Sequence, residues 1–152
     1  IMSIAAVKGV EIGMGFAAAA ATGAQVHDEM APAPDRVHSG GVRRGSNRAG
    51  GLEGGMTTGE PIVVRAAMKP ISTLMKPLGT VDVATGAAAA ATAERSDVTA
   101  VPAMGVIAEA MLPIVVGDAM IEKFGGDSLR EMRYNYDGYL SHLQDRIGAR
   151  SE

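Results

Sequence analysis

The sequence contains no cysteine and no tryptophan, and only two phenylalanines. Without cysteine the chain can form neither a disulfide nor a thiolate metal site, a composition that fits a cytoplasmic protein. Apolar residues still make up 47% of the 152, so a core must be assembled from Ala, Val, Ile, Leu and Met and held by close packing of small side chains. An excess of positive charge is also lacking. The net charge is −3, which leaves no electrostatic footprint for nucleic acid. No basic leader segment is legible before Ile4, and the first residue is Ile1. The three histidines, His27, His38 and His142, lack ligand spacing. His27-Asp28-Glu29 therefore reads as structure around a hydrogen-bonded histidine, and no metal is expected. No internal repeat appears, and the length has room for one domain.

The run Val98 to Ile121 is long enough to cross a bilayer, but Glu109 and Asp118 lie within it. Each would cost about 2.5–3.5 kcal/mol near mid-membrane. A helix buried in a soluble core is the expectation, with no membrane. It starts at Pro102, because proline suits the first helical position, and reaches about Phe124 before Gly125-Gly126 stops it. Pro113 removes the bond to the Glu109 carbonyl and is expected to kink or break the helix. Ser128-Leu129-Arg130-Glu131 spells a capping box for a last helix. Its apolar stripe is Leu129, Met132, Tyr136, Tyr139, Leu140 and Leu143, and residues 144–152 form a tail beyond a domain of residues 1–143.

Upstream, Met2 to Ile12 reads as one or two strands with a break near Lys8-Gly9. Gly13-Met14-Gly15-Phe16-Ala17-Ala18 matches the glycine pattern of a dinucleotide turn. The acid such a turn needs falls at Asp35, among prolines that exclude a central strand. A short helix is expected over Ala17 to Ala24. Met30 to Arg48 reads as a loop from its Pro, Gly and Ser content. Its Arg43, Arg44 and Arg48 are either solvated or phosphate-binding. Gly50-Gly51, Gly54-Gly55 and Gly59 follow, at a density that lets backbone N–H groups approach a ligand. Pro61 to Met68 and Leu78 to Val83 read as strands. The alanine run after Thr85-Gly86 is a helix by propensity, or a hairpin partner for Val81-Asp82-Val83 by spacing.

Arg95-Ser96-Asp97 gathers a cation, a hydroxyl and a carboxylate at the mouth of the apolar helix. By chemistry alone it is either a pair tying down a loop or part of a site. The spelling adds to this. Arg95-Ser96-Asp97 running on to Ala108-Glu109-Ala110-Met111 resembles a C-terminal signature of the chorismate synthase family. So do Ser46-Asn47-Arg48-Ala49-Gly50-Gly51-Leu52-Glu53-Gly54-Gly55-Met56-Thr57-Thr58-Gly59, Met68-Lys69-Pro70-Ile71-Ser72-Thr73, Val7-Lys8-Gly9-Val10-Glu11-Ile12-Gly13 and Val26-His27-Asp28-Glu29, in the family's order. The resemblance runs from about Val7 to about Ser128.

That resemblance implies an α+β fold, the C-terminal portion of a sandwich of antiparallel sheets and helices. It also implies a lyase of aromatic biosynthesis, which converts 5-enolpyruvylshikimate 3-phosphate to chorismate and phosphate by 1,4-anti elimination. Reduced FMN is its cofactor, and complete members resemble homotetramers. Carried onto this sequence, Lys69, Pro70, Ile71, Ser72 and Thr73 match the segment that contacts FMN, and Gly54 matches a backbone contact to it. Arg95 matches the arginine between flavin and substrate, and Asp97 the acid that tunes flavin protonation, with Ser96 between them. Ala5 and Ala6 occupy the place of a flavin-contacting Asn-Ala pair, of which only the alanine is kept. Met14 stands where the family usually has an acid. Family members are more than twice this long, so the chain reads as a fragment. The catalytic histidines, the substrate-binding arginine cluster and a second flavin segment belong to the N-terminal half. The 152 residues alone are therefore expected to be inactive. The rivals are a non-catalytic module that binds flavin or associates with itself, and a nicotinamide-dinucleotide domain resting on Gly13 and Gly15.

Overall fold

A computed structural model of the chain describes residues 1–95 and 97–148. Its strands pair two by two into four small antiparallel sheets, and two long helices follow. This is the expected α+β composition. The longest ladder is strand β1 (Val7–Ile12) against β6 (Val64–Met68). Val7 faces Met68 and Gly9 faces Ala67, so Lys8 is an extra residue, a β-bulge at the expected break. The second strand begins later than Pro61 because Val63 is engaged elsewhere. Its N–H donates to Gly50 O at 3.0 Å, and its carbonyl accepts from Gly13 N at 2.9 Å.

Gly13 and Gly15 both have φ of +57°. A side chain on Gly13 would overlap the Arg48 carbonyl, so the glycine there serves close packing. The dinucleotide reading does not hold. The strand before this turn is antiparallel to its neighbour, and the Phe16 N–H that would face a pyrophosphate donates to Glu11 Oε2 at 3.0 Å. In place of one helix over Ala17 to Ala24 there is a 3₁₀ segment, Gly15–Ala20, and a single α-turn, α1 (Gly23–Val26). Thr22 interrupts them because its N–H and hydroxyl both turn to Gln25 Oε1.

The segment expected as a loop contains a hairpin, β2 (Met30–Pro32) with β3 (Val42–Arg44). Proline is tolerated because each strand of a two-stranded sheet has an open edge. Strands β4 (Leu52–Glu53) and β5 (Met56–Thr57) form the glycine hairpin. β7 (Gly79–Val81) pairs with β8 (Ala88–Ala90), which decides the alanine run in favour of the hairpin. Asp82 Oδ1 accepts from the N–H groups of Ala84 and Thr85, both at 2.8 Å. That side chain reverses the chain before alanine propensity can act, and bonding from Thr85 and Ala84 holds its pKa below the ordinary 3.8.

Helix α2 (Val101–Phe124) runs unbroken through Pro113. Helix α3 (Leu129–Gly148) continues past 143 into the segment assigned to the tail. Glu131 N donates to Ser128 Oγ at 3.2 Å, and Glu131 Oε2 reaches back to Asp127 N at 2.7 Å, one residue before the expected capping-box partner. The two helices meet through Phe124, whose ring stands edge-on to Tyr136 at 5.2 Å, and Asn135 Nδ2 caps the Phe124 carbonyl at 2.7 Å. Of the stripe, Met132, Tyr136, Leu140 and Leu143 are half-buried, while Leu129 is 80% exposed.

The expected burial of the apolar helix is not found. Among residues of α2 only Met104 is buried, and the apolar residues buried in the described chain are Val7, Ala33 and Met104. By length and composition the helix could cross a membrane. The accessible surface is 11,387 Å², against about 7,200 Å² expected for a close-packed monomer of this mass. Two-stranded sheets cover one side of a helix at most. Here Val64 and Ala66 face Met104, Ala108 and Leu112 across an open apolar groove of about 390 Å³.

Candidate functional site

The strand pairing places two of the predicted segments together. Beyond the Val7–Met68 pair, Lys69 N donates to Ala6 O at 2.7 Å. Ala6 has φ of +65°, a left-handed conformation costing about 1–2 kcal/mol for a residue with a Cβ. Ala5 and Ala6 thus lie against the start of Lys69–Thr73. In that loop Lys69, Pro70 and Ser72 are exposed, and Ile71 and Thr73 half-buried. A second bond brings in the third segment: Glu94 N donates to Leu74 O at 3.3 Å, so Arg95 emerges beside the end of the same loop. Arg95 and Asp97 are exposed to solvent, and Ser96 lies outside the described residues.

Gly54 stands apart, on the turn between β4 and β5, with φ of +56°. Among the described residues nothing beyond its chain neighbours lies within 4 Å of where its Cβ would be, so its backbone is open to approach. The hairpin that carries it is tied at its base. Arg44 Nη2 meets Glu53 Oε2 at 2.6 Å, and Arg44 Nη1 donates to Thr58 O at 3.3 Å. Glu60 receives Arg36 at 2.6 Å and Arg44 N at 3.4 Å; the Arg36 bond first, then that from Arg44, keeps its pKa below the usual 4.5. Arg44 is thus consumed by structure, and Arg48 donates to the His27 carbonyl at 3.3 Å.

Sequence reasoning missed the organiser of this region. His27 is exposed and meets Arg48 through its backbone; its neighbour Asp28 is the buried residue. Asp28 Oδ1 accepts from Ser46 Oγ and from Arg48 N at 2.8 Å, and Oδ2 accepts from Ala49 N at 3.0 Å. Burial alone would raise its pKa. The bonds from Ser46, Ala49 and Arg48 outweigh that and hold it below the ordinary 3.8. Asn47 completes the clamp, accepting from Gly51 N at 2.8 Å and donating to Pro61 O at 2.9 Å. The signal was in the sequence. A turn with successive unpaired N–H groups needs an acceptor, and Asp28 supplies one from outside the loop.

Comparison with known proteins gives this geometry its context. Residues 1–121 match the family model described as chorismate synthase. The chain belongs to the chorismate synthase family. It is 58% identical over 150 residues to the chorismate synthase of Saccharopolyspora erythraea, a match covering 99% of this chain and 37% of that protein. It is 60% identical over 148 residues to the chorismate synthase of Parafrankia sp., covering 96% and 36%. A crystal structure of chorismate synthase superposes with a TM-score of 0.72 at 44% identity, over 95% of this chain and 34% of that one. The chain therefore spans little more than a third of the chorismate synthases it resembles, matching a C-terminal part of them. Every candidate residue from Ala5 to Asp97 lies inside the matched range.

Proposed function

We propose that this chain is the flavin-side portion of a cytoplasmic, homotetrameric chorismate synthase. Completed by the family's N-terminal portion, it forms chorismate from 5-enolpyruvylshikimate 3-phosphate by 1,4-anti elimination of phosphate and a ring proton. The observation that supports this is a pair of backbone hydrogen bonds, one joining Lys69 to Ala6 far back in the chain and one joining Leu74, at the end of the same loop, to Glu94 beside Arg95.

The donors present fit reduced FMN. Lys69, Ser72 and Thr73 supply an ammonium and two hydroxyls on one loop, a set suited to a phosphate or a polar ring edge. Gly54 offers an unobstructed backbone, and Arg95 a guanidinium that can bind anionic oxygens through two parallel bonds. Bound there, reduced FMN would supply an electron-rich ring to the elimination without net redox change. The chain's own residues do the rest. Ala5 and Ala6 shape the floor of the loop, and Lys69 to Thr73 orient the cofactor. Arg95 stabilises anionic charge between cofactor and substrate, and Asp97, with Ser96 beside it, holds or receives a proton. General acid–base groups of the N-terminal portion are absent here, so the 152 residues alone do not turn over substrate.

The test is flavin titration of a full-length enzyme containing this segment. Lys69→Ala should weaken FMN by about 1.5–3 kcal/mol, the range for a hydrogen bond to a charged group. An unchanged affinity would remove Lys69 from the site. If adding the N-terminal portion restores flavin binding but no turnover, the chain is the non-catalytic module instead.

A further inference from the structure

The turn Glu53-Gly54-Gly55-Met56 cannot hold its own direction. Gly54 and Gly55 have φ of +56° and +77°, a region that glycine enters without steric cost, so the turn is soft. The ladder beneath it has two residue pairs, Leu52 with Thr57 and Glu53 with Met56. A two-stranded ribbon of that length has little stability of its own. Its direction is therefore set by what reaches it from outside.

At the base of the hairpin, Thr58 N donates to Gly51 O at 3.0 Å. Beyond that base, among the described residues, the side chain that bonds to residues 52–57 from outside is Arg44. Its Nη2 meets Glu53 Oε2 at 2.6 Å on the outgoing leg, next to Gly54. Its Nη1 donates to Thr58 O at 3.3 Å on the returning leg. One planar fork thus spans both legs. Arg44 is itself anchored: it ends β3 opposite Met30, and the next residue, Gly45, donates its N–H to Glu29 O at 2.9 Å. The Arg44 side chain is 12% exposed, and its Nε is buried with no hydrogen-bond partner among the described residues. Buried donors are ordinarily paired. Here the guanidinium leaves one unpaired, and its orientation follows the two legs instead.

We propose that Arg44 is a positioning residue of the cofactor site, which aims the Gly54 backbone at the flavin without touching it. This rests on the flavin contact proposed for Gly54. The fork makes arginine specific. A lysine keeps the charge but has a single nitrogen, which cannot hold the Glu53 carboxylate and the Thr58 carbonyl in one fixed geometry. Glu53 is 45% exposed, so the ion pair adds little to stability in water. Loss of direction and loss of stability are therefore separable.

The experiment titrates FMN into a full-length enzyme containing this segment, with thermal unfolding of every variant. Arg44→Lys should weaken FMN about five- to tenfold, the scale of one misaligned backbone hydrogen bond. Its Tm should stay within about 2 °C of the original. At saturating reduced FMN its KM for 5-enolpyruvylshikimate 3-phosphate should be unchanged. Arg36→Lys is the control, because Arg36 also makes a 2.6 Å ion pair, with Glu60, but bonds only to Glu60 and Gly59 and not to the hairpin. It should leave FMN affinity unchanged. Added to Gly54→Ala, Arg44→Lys should weaken FMN less than about twofold further, since residues acting through one contact are not additive. Additive losses would make Arg44 merely structural and overturn the inference. So would an unchanged affinity in Arg44→Lys, or an equal loss in Arg36→Lys. Should Arg44→Lys fail to fold, Glu53→Ala breaks the same tie from its exposed end and carries the same expectations. If Gly54→Ala alone leaves FMN affinity intact, the contact proposed for Gly54 is wrong and the inference falls with it. If Gly54→Ala weakens FMN and Arg44→Lys does not, the inference alone falls.

Discussion

Asp28 gives the sharpest test of how the glycine loop is held. Replacing it by Asn keeps the shape but changes what each oxygen position can do. One terminal atom becomes an NH₂ and must face either Ala49 N–H or the pair formed by Arg48 N–H and Ser46. At least one donor then confronts a donor, and the charge assistance is lost for all three. An unsatisfied buried group costs about 1–3 kcal/mol, so Asp28→Asn should destabilise the chain by about 2–3 kcal/mol. For a protein of this length each kcal/mol shifts Tm by about 2–4 °C, giving a fall of about 4–12 °C by circular dichroism. The pH dependence has a fixed sign. The folded pKa lies below 3.8, so the contribution is fully present above that value and is lost as pH falls through the folded pKa. The original protein should lose stability relative to Asp28→Asn only below about pH 3.8. The Arg48 and Ala49 amides should exchange faster in the variant at neutral pH. A Tm within a degree of the original, with unchanged exchange at those amides, would show that the clamp is not what holds the loop.

Two glycines separate structure from ligand. Gly13→Ala should destabilise by about 2 kcal/mol or more, because a positive φ is combined with overlap of the Arg48 carbonyl; denaturant unfolding reads this. Gly54→Ala has the same φ cost but open space, so it should lower stability by only about 1 kcal/mol while measurably weakening FMN in a full-length enzyme. In that enzyme Asp97→Asn should reduce turnover by roughly 10²-fold or more, the scale of a lost acid–base group, with folding and FMN binding nearly intact. Near-normal turnover with excess reduced FMN would make Asp97 a loop-tying residue.

What the sequence displays best is punctuation. The stop at Gly125-Gly126, the Ser128 cap and the break at Lys8-Gly9 are local events, decided by backbone freedom and nearby donors, and the structure has each of them. Thr85-Gly86 was legible as a turn. What it did next was less so, because alanine favours a helix only where no side chain such as Asp82 commits the preceding turn. Burial is a different kind of property. The composition of α2 states that something must cover it but not that the cover lies within these residues, and most of the helix is exposed. The Met30–Arg48 hairpin and the Asp28 clamp escaped for a related reason: both depend on partners far along the chain, which no local pattern records. The site segments were named by resemblance and only their meeting is structural, through Ala6 with Lys69 and Leu74 with Glu94.

The bulge at Lys8 has a consequence for insertions and deletions. Counting back from the Gly9–Ala67 pair, an uninterrupted ladder would set Lys8 against Met68 and Val7 against Lys69. The extra residue instead advances Val7 to Met68 and delivers the Ala6 carbonyl to the Lys69 amide. Deleting Lys8 would therefore regularise the sheet and move nothing ahead of it, since Val7 would still stand against Met68 and the Ala6 carbonyl would still meet the Lys69 amide. The opposite strand has no such slack: losing Met68 would bring Lys69 opposite Val7 and pull the following loop one residue out of line with Ala6. Length changes are thus tolerated on one strand of this pair, at an exposed lysine, and not on the other.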